Sequence, residues 1–212
     1  STTLPPLTPT PQLTISWTDA PALIHSRITA LALPVTLIGI TGPVGAGKST
    51  LAAALSSCVL SSDHYLPDYD KVEYHRRDDP TLADLPRLCT DLASLAQGRV
   101  TRIPIWSFKS HAREGERDLH PHPVIVCEGI HALHEPVASA LHLRIFIDAP
   151  RTIRWQRWEH IESSGQRGWG VDIARAFFNQ VAEPTFDAWA KDLRSRAHII
   201  VDNPINTTPP PA

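Results

Sequence analysis

Hydrophobic residues along the chain fall into two kinds of block, and the two kinds alternate. Short, mostly apolar runs rich in β-branched residues occupy Val35–Ile40, Val59–Ser62, Val124–Gly129 up to the acid near its end, Leu143–Ile147 (with Arg144 its one charge) and Ala197–Val201. These runs are apolar on successive positions, as expected for strands covered on both faces of a parallel sheet. Between them, apolar residues recur at helical spacing. Ala22, Leu23, Ile24, Ile28, Leu31 and Leu33 predict a helix over Ala20–Leu33, with Asp19 as N-cap and Pro21 in the first turn. Thr50–Leu55 predicts a second helix. Leu85, Leu88, Leu92 and Leu95 predict a third over Leu82–Ala96, stopped near Gly98. Two more follow, one carrying Arg151, Arg154 and Arg157 and one over Ile173–Trp189, interrupted at Pro184. Strands alternating with helices predict an α/β fold with a parallel sheet. Pro67–Pro80 reads as a loop, Arg102–Phe108 as an extended aromatic segment, and Lys109–Pro123 as a polar stretch with no element assigned.

Composition narrows the classes. A chain of 212 residues suffices for one domain with a sizeable core. Twenty Lys and Arg against 22 Asp and Glu give a net charge of -2, so no polyanion-binding surface and no nucleic-acid partner is expected. No apolar run approaches a membrane span. The N-terminus lacks the pattern of a secretory leader. Cys58, Cys89 and Cys127 have no paired spacing and read as reduced thiols, which points to a cytoplasmic protein. The 20 prolines cluster at the ends. Residues 1–19 read as a flexible Pro/Thr-rich arm, 20–202 as the folded domain and 203–212 as a flexible Pro-rich tail.

The first strand runs directly into Gly42-Pro43-Val44-Gly45-Ala46-Gly47-Lys48-Ser49, the spacing G-x-x-x-x-G-K-[ST] of a phosphate-binding loop. A triphosphate concentrates negative charge in a small volume. Gly42, Gly45 and Gly47 let the backbone wrap that charge, and the amides through Ala46 to Thr50 point inward at a helix N-terminus. Lys48 adds a full charge, and the Ser49 hydroxyl can ligate Mg²⁺. A chance match at the four fixed positions is expected on the order of once in a hundred such chains. The strand before and helix after lower that further.

Other residues fall where such a site would need them. Ligands of open α/β sheets sit at the carboxyl ends of strands, where Asp63 and Glu128 lie. Glu128 is placed to serve the Mg²⁺ shell opposite Ser49. Arg151, Arg154 and Arg157 share one helix face, suited either to solvent or to a lid that neutralises a moving phosphoryl group. His120 and His122 lack further ligands at zinc spacing, so no zinc site is expected.

Several stretches resemble the uridine–cytidine kinases, within the larger group that holds phosphoribulokinase and pantothenate kinase. They are Ser62-Asp63 with Tyr65, Asp78-Asp79-Pro80 followed by Asp84, the IPIWSFKSHAR segment within Val100–Arg113, VIVCEGIHAL from Val124, Ile147-Asp148, and Glu183-Pro184-Thr185-Phe186. The resemblance runs from about Val35 to Val201. It implies a three-layer P-loop fold with a helical lid, using ATP and Mg²⁺. It implies Asp63 as general base, Lys48, Arg154 and Arg157 as catalytic cations, and Ser49 and Glu128 as metal residues. Asp84 would hold the ribose, and Trp106, Phe108 and His111 would line the base pocket. Tyr65, Arg113 and Arg167 would join them on the acceptor. The chain departs from the family at four points: one residue, His64, between Asp63 and the tyrosine; Trp106 for a tyrosine; fewer lid arginines around Trp158–Ile161; and Phe177 for a glutamine. The expected activity is γ-phosphoryl transfer from ATP to the 5'-hydroxyl of uridine or cytidine. The alternatives are a pantothenate-, glycerate- or sugar-phosphate-like acceptor, or a non-catalytic nucleotide-binding regulator. A GTP switch lacks its N-K-x-D motif, and a transporter ATPase would place Ser164–Arg167 before the acidic strand. A homo-oligomer is compatible with this reading and not required by it.

Overall fold

The computed structural model describes residues 11–204. Residues 1–10 of the expected arm and 205–212 of the expected tail lie outside the described residues. In chain order the elements are strand β1 (Leu13–Ser16), helix α1 (Ala20–Leu31), β2 (Thr36–Thr41), α2 (Lys48–Leu55), β3 (Cys58–Ser61), α3 (Leu85–Ala96), β4 (Thr101–Ser107), β5 (Ala112–Leu119), β6 (Val124–Glu128), α4 (Val137–Ala140), β7 (Leu143–Asp148), α5 (Arg151–Ser163), α6 (Val171–Phe177), α7 (Glu183–Arg196) and β8 (Ile199–Asp202).

Six strands form one all-parallel sheet in the order β1-β8-β7-β2-β6-β3. The central strands are buried on both faces, and their side chains divide by parity. Leu37, Ile125, Cys127 and Phe146 join one core with Leu85, Leu88, Leu92 and Leu95 of α3 and Phe186 and Leu193 of α7. Ile38, Ile40, Val126, Ile145 and Ile147 face the opposite core with Ala20 and Ile24 of α1 and Leu51 and Leu55 of α2. Helices therefore cover both faces, and the sheet is the middle of three layers, as the continuous apolar runs require.

Three elements differ from expectation. Leu13–Ser16 lies within the stretch read as a flexible arm, yet it pairs in parallel with β8, Leu13 to Ile199 through Ser16 to Asp202. β5 lies in the polar stretch given no element. It pairs antiparallel with β4 and is exposed along most of its length, held by ladder bonds and cross-strand ion pairs such as Arg102 to Asp118 at 3.1 Å. Pro184 does not interrupt a helix. It stands in the first turn of α7, where a missing N–H is tolerated, and a π turn over Phe178–Ala182 joins α6 to α7. Elsewhere boundaries shift by a few residues: α1 ends at Leu31, with Ala32 left-handed (φ 50°), and α3 begins at Leu85.

A third apolar cluster sits above the carboxyl ends of the strands. Leu66, Tyr69 and Trp106 meet Trp158 of α5 and Ala174, Phe177 and Phe178 of the α6–π segment. It ties the β4–β5 hairpin to the helical cover and closes the site from above.

Candidate active site

The site is built outward from the turn between β2 and α2. Gly45 (φ +78°) and Gly47 (φ +107°) hold torsions that a side chain disfavours. Both are also crowded: a Cβ on Gly45 would lie 2.5 Å from Arg154 O, and one on Gly47 would lie 2.9 Å from Trp17 Cη2. Ala46 is buried inside the loop, and Gly42 packs its backbone against Ile147 O. Gly45, Gly47, Lys48, Ser49 and Thr50 line a cleft of about 420 Å³. Lys48 is buried, and its Nζ donates to Pro43 O at 3.0 Å. Burial lowers its pKa, while the charges of Glu128 and Asp63 pull it back up.

Two parallel strands bring the acids to this loop. β3 pairs with β6, Ser61 against Glu128, so Glu128 ends its strand beside the residues that lead into Asp63. Ser49 Oγ donates to Glu128 Oε1 at 3.4 Å. Burial, reinforced by the Asp63 charge, pushes Glu128 up to about 7 against the opposing pull of Lys48. Asp78 is also pushed up to about 7, by burial first and Asp63 second, and accepts from the Tyr69 hydroxyl at 3.3 Å. Asp63, Asp78 and Glu128 thus crowd negative charge around Lys48, and a divalent cation would relieve it. The donor set fits Mg²⁺: a hydroxyl and a carboxylate, both hard oxygen ligands. Among the described residues no group of three or more His, Cys, Asp and Glu could hold a metal by itself. A cation here would take Ser49 and Glu128 together with ligand phosphates and water.

The far end of the cleft is aromatic. Trp106 is buried, donates from Nε1 to Pro67 O at 3.2 Å and packs edge-on to Tyr69, Phe108 and His111. His64, the single residue between Asp63 and Tyr65, accepts at Nδ1 from Trp106 N at 2.9 Å, so it moors the hairpin beside the turn that carries Asp63. His111 is a non-glycine residue at positive φ (54°), fixed by its N–H to Ser107 O at 2.8 Å. Burial lowers its pKa to about 4, which makes it neutral at pH 7. Trp169 stacks on it at 4.0 Å and 8°, and Phe177 packs against Trp169 at 4.7 Å. The Arg167 guanidinium lies 4.3 Å over Phe108.

Of the residues named from sequence, Lys48, Ser49, Asp63, Trp106, Phe108, His111, Glu128, Arg157 and Arg167 all line this cleft. Four do not. Asp84 is exposed and caps α3, its Oδ1 accepting from Arg87 N at 3.2 Å. The buried acid beside Asp63 is instead Asp78. The motif around Asp84 was readable as a cap, since an acid followed by Leu85-Pro86 is a helix start. Tyr65 turns into the core and donates to Asp91 Oδ2 at 2.6 Å, leaving Tyr69 as the tyrosine of the cleft. Arg113 points to solvent and pairs with Glu116 at 2.6 Å. Arg154 is buried behind the phosphate loop in a bidentate pair with Glu183, and it also donates to Ala149 O and Val44 O. Its neighbour one turn on, Arg157, reaches the cleft and donates to Gly45 O at 2.7 Å. Sequence reasoning also missed Trp17 and Asn203, which line the cleft beside Gly47 and Thr50.

Comparison with known proteins places the chain in a family. The family described as "Phosphoribulokinase / Uridine kinase family" matches residues 69–208. A uridine kinase of Clostridium botulinum (strain Okra / Type B1) is 29% identical over 179 residues, 78% of this chain and 86% of that protein. The inorganic pyrophosphatase TTM2 of Arabidopsis thaliana is 35% identical over 120 residues, 53% of this chain, but the match spans only 18% of that longer protein. Among solved structures, one described as a possible uridine kinase from Bacillus stearothermophilus superposes with a TM-score of 0.60 at 17% identity, covering 85% of this chain and 100% of that one. The shared fold is that of the P-loop kinases. Among the described residues no helix is long and apolar enough to cross a membrane.

Proposed function

The chain belongs to the phosphoribulokinase/uridine kinase family, and from that premise we propose that it transfers the γ-phosphoryl group of ATP to a hydroxyl of a small molecule, the 5'-hydroxyl of uridine or cytidine first among candidates. The observation that carries this is the continuity of one cleft, in which Lys48, the Ser49–Glu128 pair and Asp63 meet an aromatic pocket. Phosphoryl transfer asks the protein for position and charge more than for covalent chemistry. The loop amides and Lys48 hold the donor phosphates. Mg²⁺, when bound, neutralises charge on the phosphate oxygens, and Ser49 and Glu128 are the side chains that would hold it. Asp63 accepts the proton of the attacking hydroxyl. Asp78, steadied by Tyr69, hydrogen-bonds a further hydroxyl of the acceptor. Trp106, Phe108 and His111 exclude water and give an acceptor ring an apolar wall, and Arg157 and Arg167 add positive charge from the lid.

A second reading, a non-nucleoside acceptor, draws support from one contact. Trp169 already stacks on His111 at 4.0 Å, so no ring can enter between them, and the face of His111 that a nucleobase could use is covered. A smaller hydroxyl compound would have no need of that face.

The deciding experiment is an ADP-release assay with Mg·ATP against uridine, cytidine, other nucleosides, pantothenate, glycerate and ribulose 5-phosphate. Stimulation by uridine or cytidine supports the first reading, and stimulation by another hydroxyl compound alone supports the second. Lys48→Ala should lose turnover by about 10²–10³-fold or more, as for removal of a main transition-state donor. Near-normal turnover in that variant would overturn the kinase reading.

A further inference from the structure

Beside the phosphate loop the cleft has a corner where two residues, Trp17 and Asn203, are left unused by phosphoryl transfer. Trp17, Gly47, Thr50 and Asn203 line it. Trp17 follows β1, and its backbone N–H donates to Asp202 O at 2.9 Å. Its indole is half-buried and leans on the loop, with Cη2 and Cζ3 2.9 and 3.1 Å from where a Cβ of Gly47 would stand. Asn203 follows β8, the strand beside β1. It is 1% exposed. Its Nδ2 donates to Ala46 O at 2.9 Å, and because that carbonyl can only accept, the orientation of the amide is set. Oδ1 is then left buried, and among the described residues it has no hydrogen-bond partner. A buried acceptor without a donor is unfavourable and uncommon in folded proteins, so one at the edge of a ligand cleft marks a place for a ligand donor.

The acceptor pocket lies at the other end of the loop, around Trp106 and His111. A nucleotide whose phosphates occupy the loop therefore carries its base toward Trp17. Resting on the kinase reading above, we propose that this corner is the base subsite of the phosphate donor: the Trp17 indole covers one face of a purine, and Asn203 Oδ1 accepts from the 6-amino group, selecting adenine over guanine. Guanine carries an oxygen at that position, which would set acceptor against acceptor. The reason for Gly47 is then twofold, its positive φ and the room it leaves for the indole.

The test is calorimetric titration of the full chain, in Mg²⁺, with ADP, GDP and inorganic tripolyphosphate. Wild type should bind ADP at least tenfold tighter than GDP. Trp17→Ala should weaken ADP by roughly 5- to 150-fold, the range for lost base–aromatic stacking, and leave tripolyphosphate within about twofold. Trp17→Phe, which keeps an aromatic face, should recover most of the ADP affinity. Asn203→Leu should bring the ADP/GDP ratio toward one, with tripolyphosphate as the control for an intact loop. Equal binding of ADP and GDP by wild type overturns the assignment. So does a parallel loss of ADP and tripolyphosphate in Trp17→Ala, which would make Trp17 a prop for the loop. Failure of wild type to bind tripolyphosphate or either nucleotide overturns the kinase reading and this subsite with it, and is thereby distinct from loss of base discrimination alone.

Discussion

Removing Glu183 separates an arginine that supports the loop from one that acts on phosphate. The side chains of Arg154 and Glu183 are 7% and 4% exposed. Arg154 Nη2 donates to Glu183 Oε2 at 3.0 Å, Nε donates to Ala149 O at 2.9 Å, and Nη1 bonds both Glu183 and Val44 O. Glu183→Ala would leave the guanidinium buried with carbonyl partners alone. Breaking a buried pair from one side costs about 3–5 kcal/mol. For a domain of this length each kcal/mol lowers Tm by about 2–4 °C, so the variant should melt roughly 6–20 °C below wild type. Arg154→Met should lose a comparable amount. The double variant Arg154→Met/Glu183→Leu leaves no unpaired charge, so it should be more stable than either single. Calorimetric or urea unfolding of the four proteins completes the cycle. Additive losses below about 1 kcal/mol per single variant, the range of exposed pairs, would refute the buried-pair reasoning. Turnover gives a second reading. Arg154 O lies 2.5 Å from where a Cβ of Gly45 would stand, so the helix packs directly on the loop and the singles should lose nucleotide affinity as the loop loosens. A wild-type Tm with kcat down about a hundredfold in Arg154→Met would instead make it a cation on the transferring group.

Other outcomes follow from the same geometry. Asp63→Asn should fold and bind nucleotide normally but lose about 10²–10⁴-fold in kcat, the usual worth of a general base; retained activity would place the base elsewhere. Asp78 has its pKa raised from 3.8 to about 7, so the folded state holds a proton that the unfolded state releases, and its contribution is full below pH 3.8 and lost as pH rises through 7. Asp78→Asn, which still accepts from Tyr69, should therefore gain Tm over wild type at pH 8 and little at pH 4; a pH-independent difference would refute the shift. Asp84→Ala should cost about 0.5–2 kcal/mol as a lost helix cap and leave the acceptor KM unchanged, whereas Asp78→Asn should raise that KM; the reverse pattern in steady-state kinetics would restore Asp84 to the cleft.

The parts of the fold legible in the sequence are those whose cause is local. Val124–Cys127 and Ile145–Ile147 are apolar on consecutive positions, as suits a strand covered on both faces, and both strands are central in the sheet. The phosphate loop is a contiguous run whose torsions belong to its own glycines, so Lys48 and Ser49 could be named without a partner in view. Asp63 and Glu128 were legible for the same reason, since an acid at the end of a buried parallel strand emerges where ligands bind. β1 was not legible, because four residues with modest alternation look like a tail until β8 stands beside them. β5 is mostly polar and solvent-exposed, and its strand character resides in bonds to β4. The choice between Asp78 and Asp84, or between Tyr69 and Tyr65, was likewise not local. Each pair offers the same chemistry within a few residues. Tyr65 is drawn inward by Asp91, 26 residues away, and Arg154 by Glu183, 29 residues away. Residue type and spacing determined what chemistry this chain can perform. Which of several equivalent side chains faces the cleft was decided by burial and by partners distant in sequence, because a side chain's direction is settled only when the whole layer above the sheet has packed.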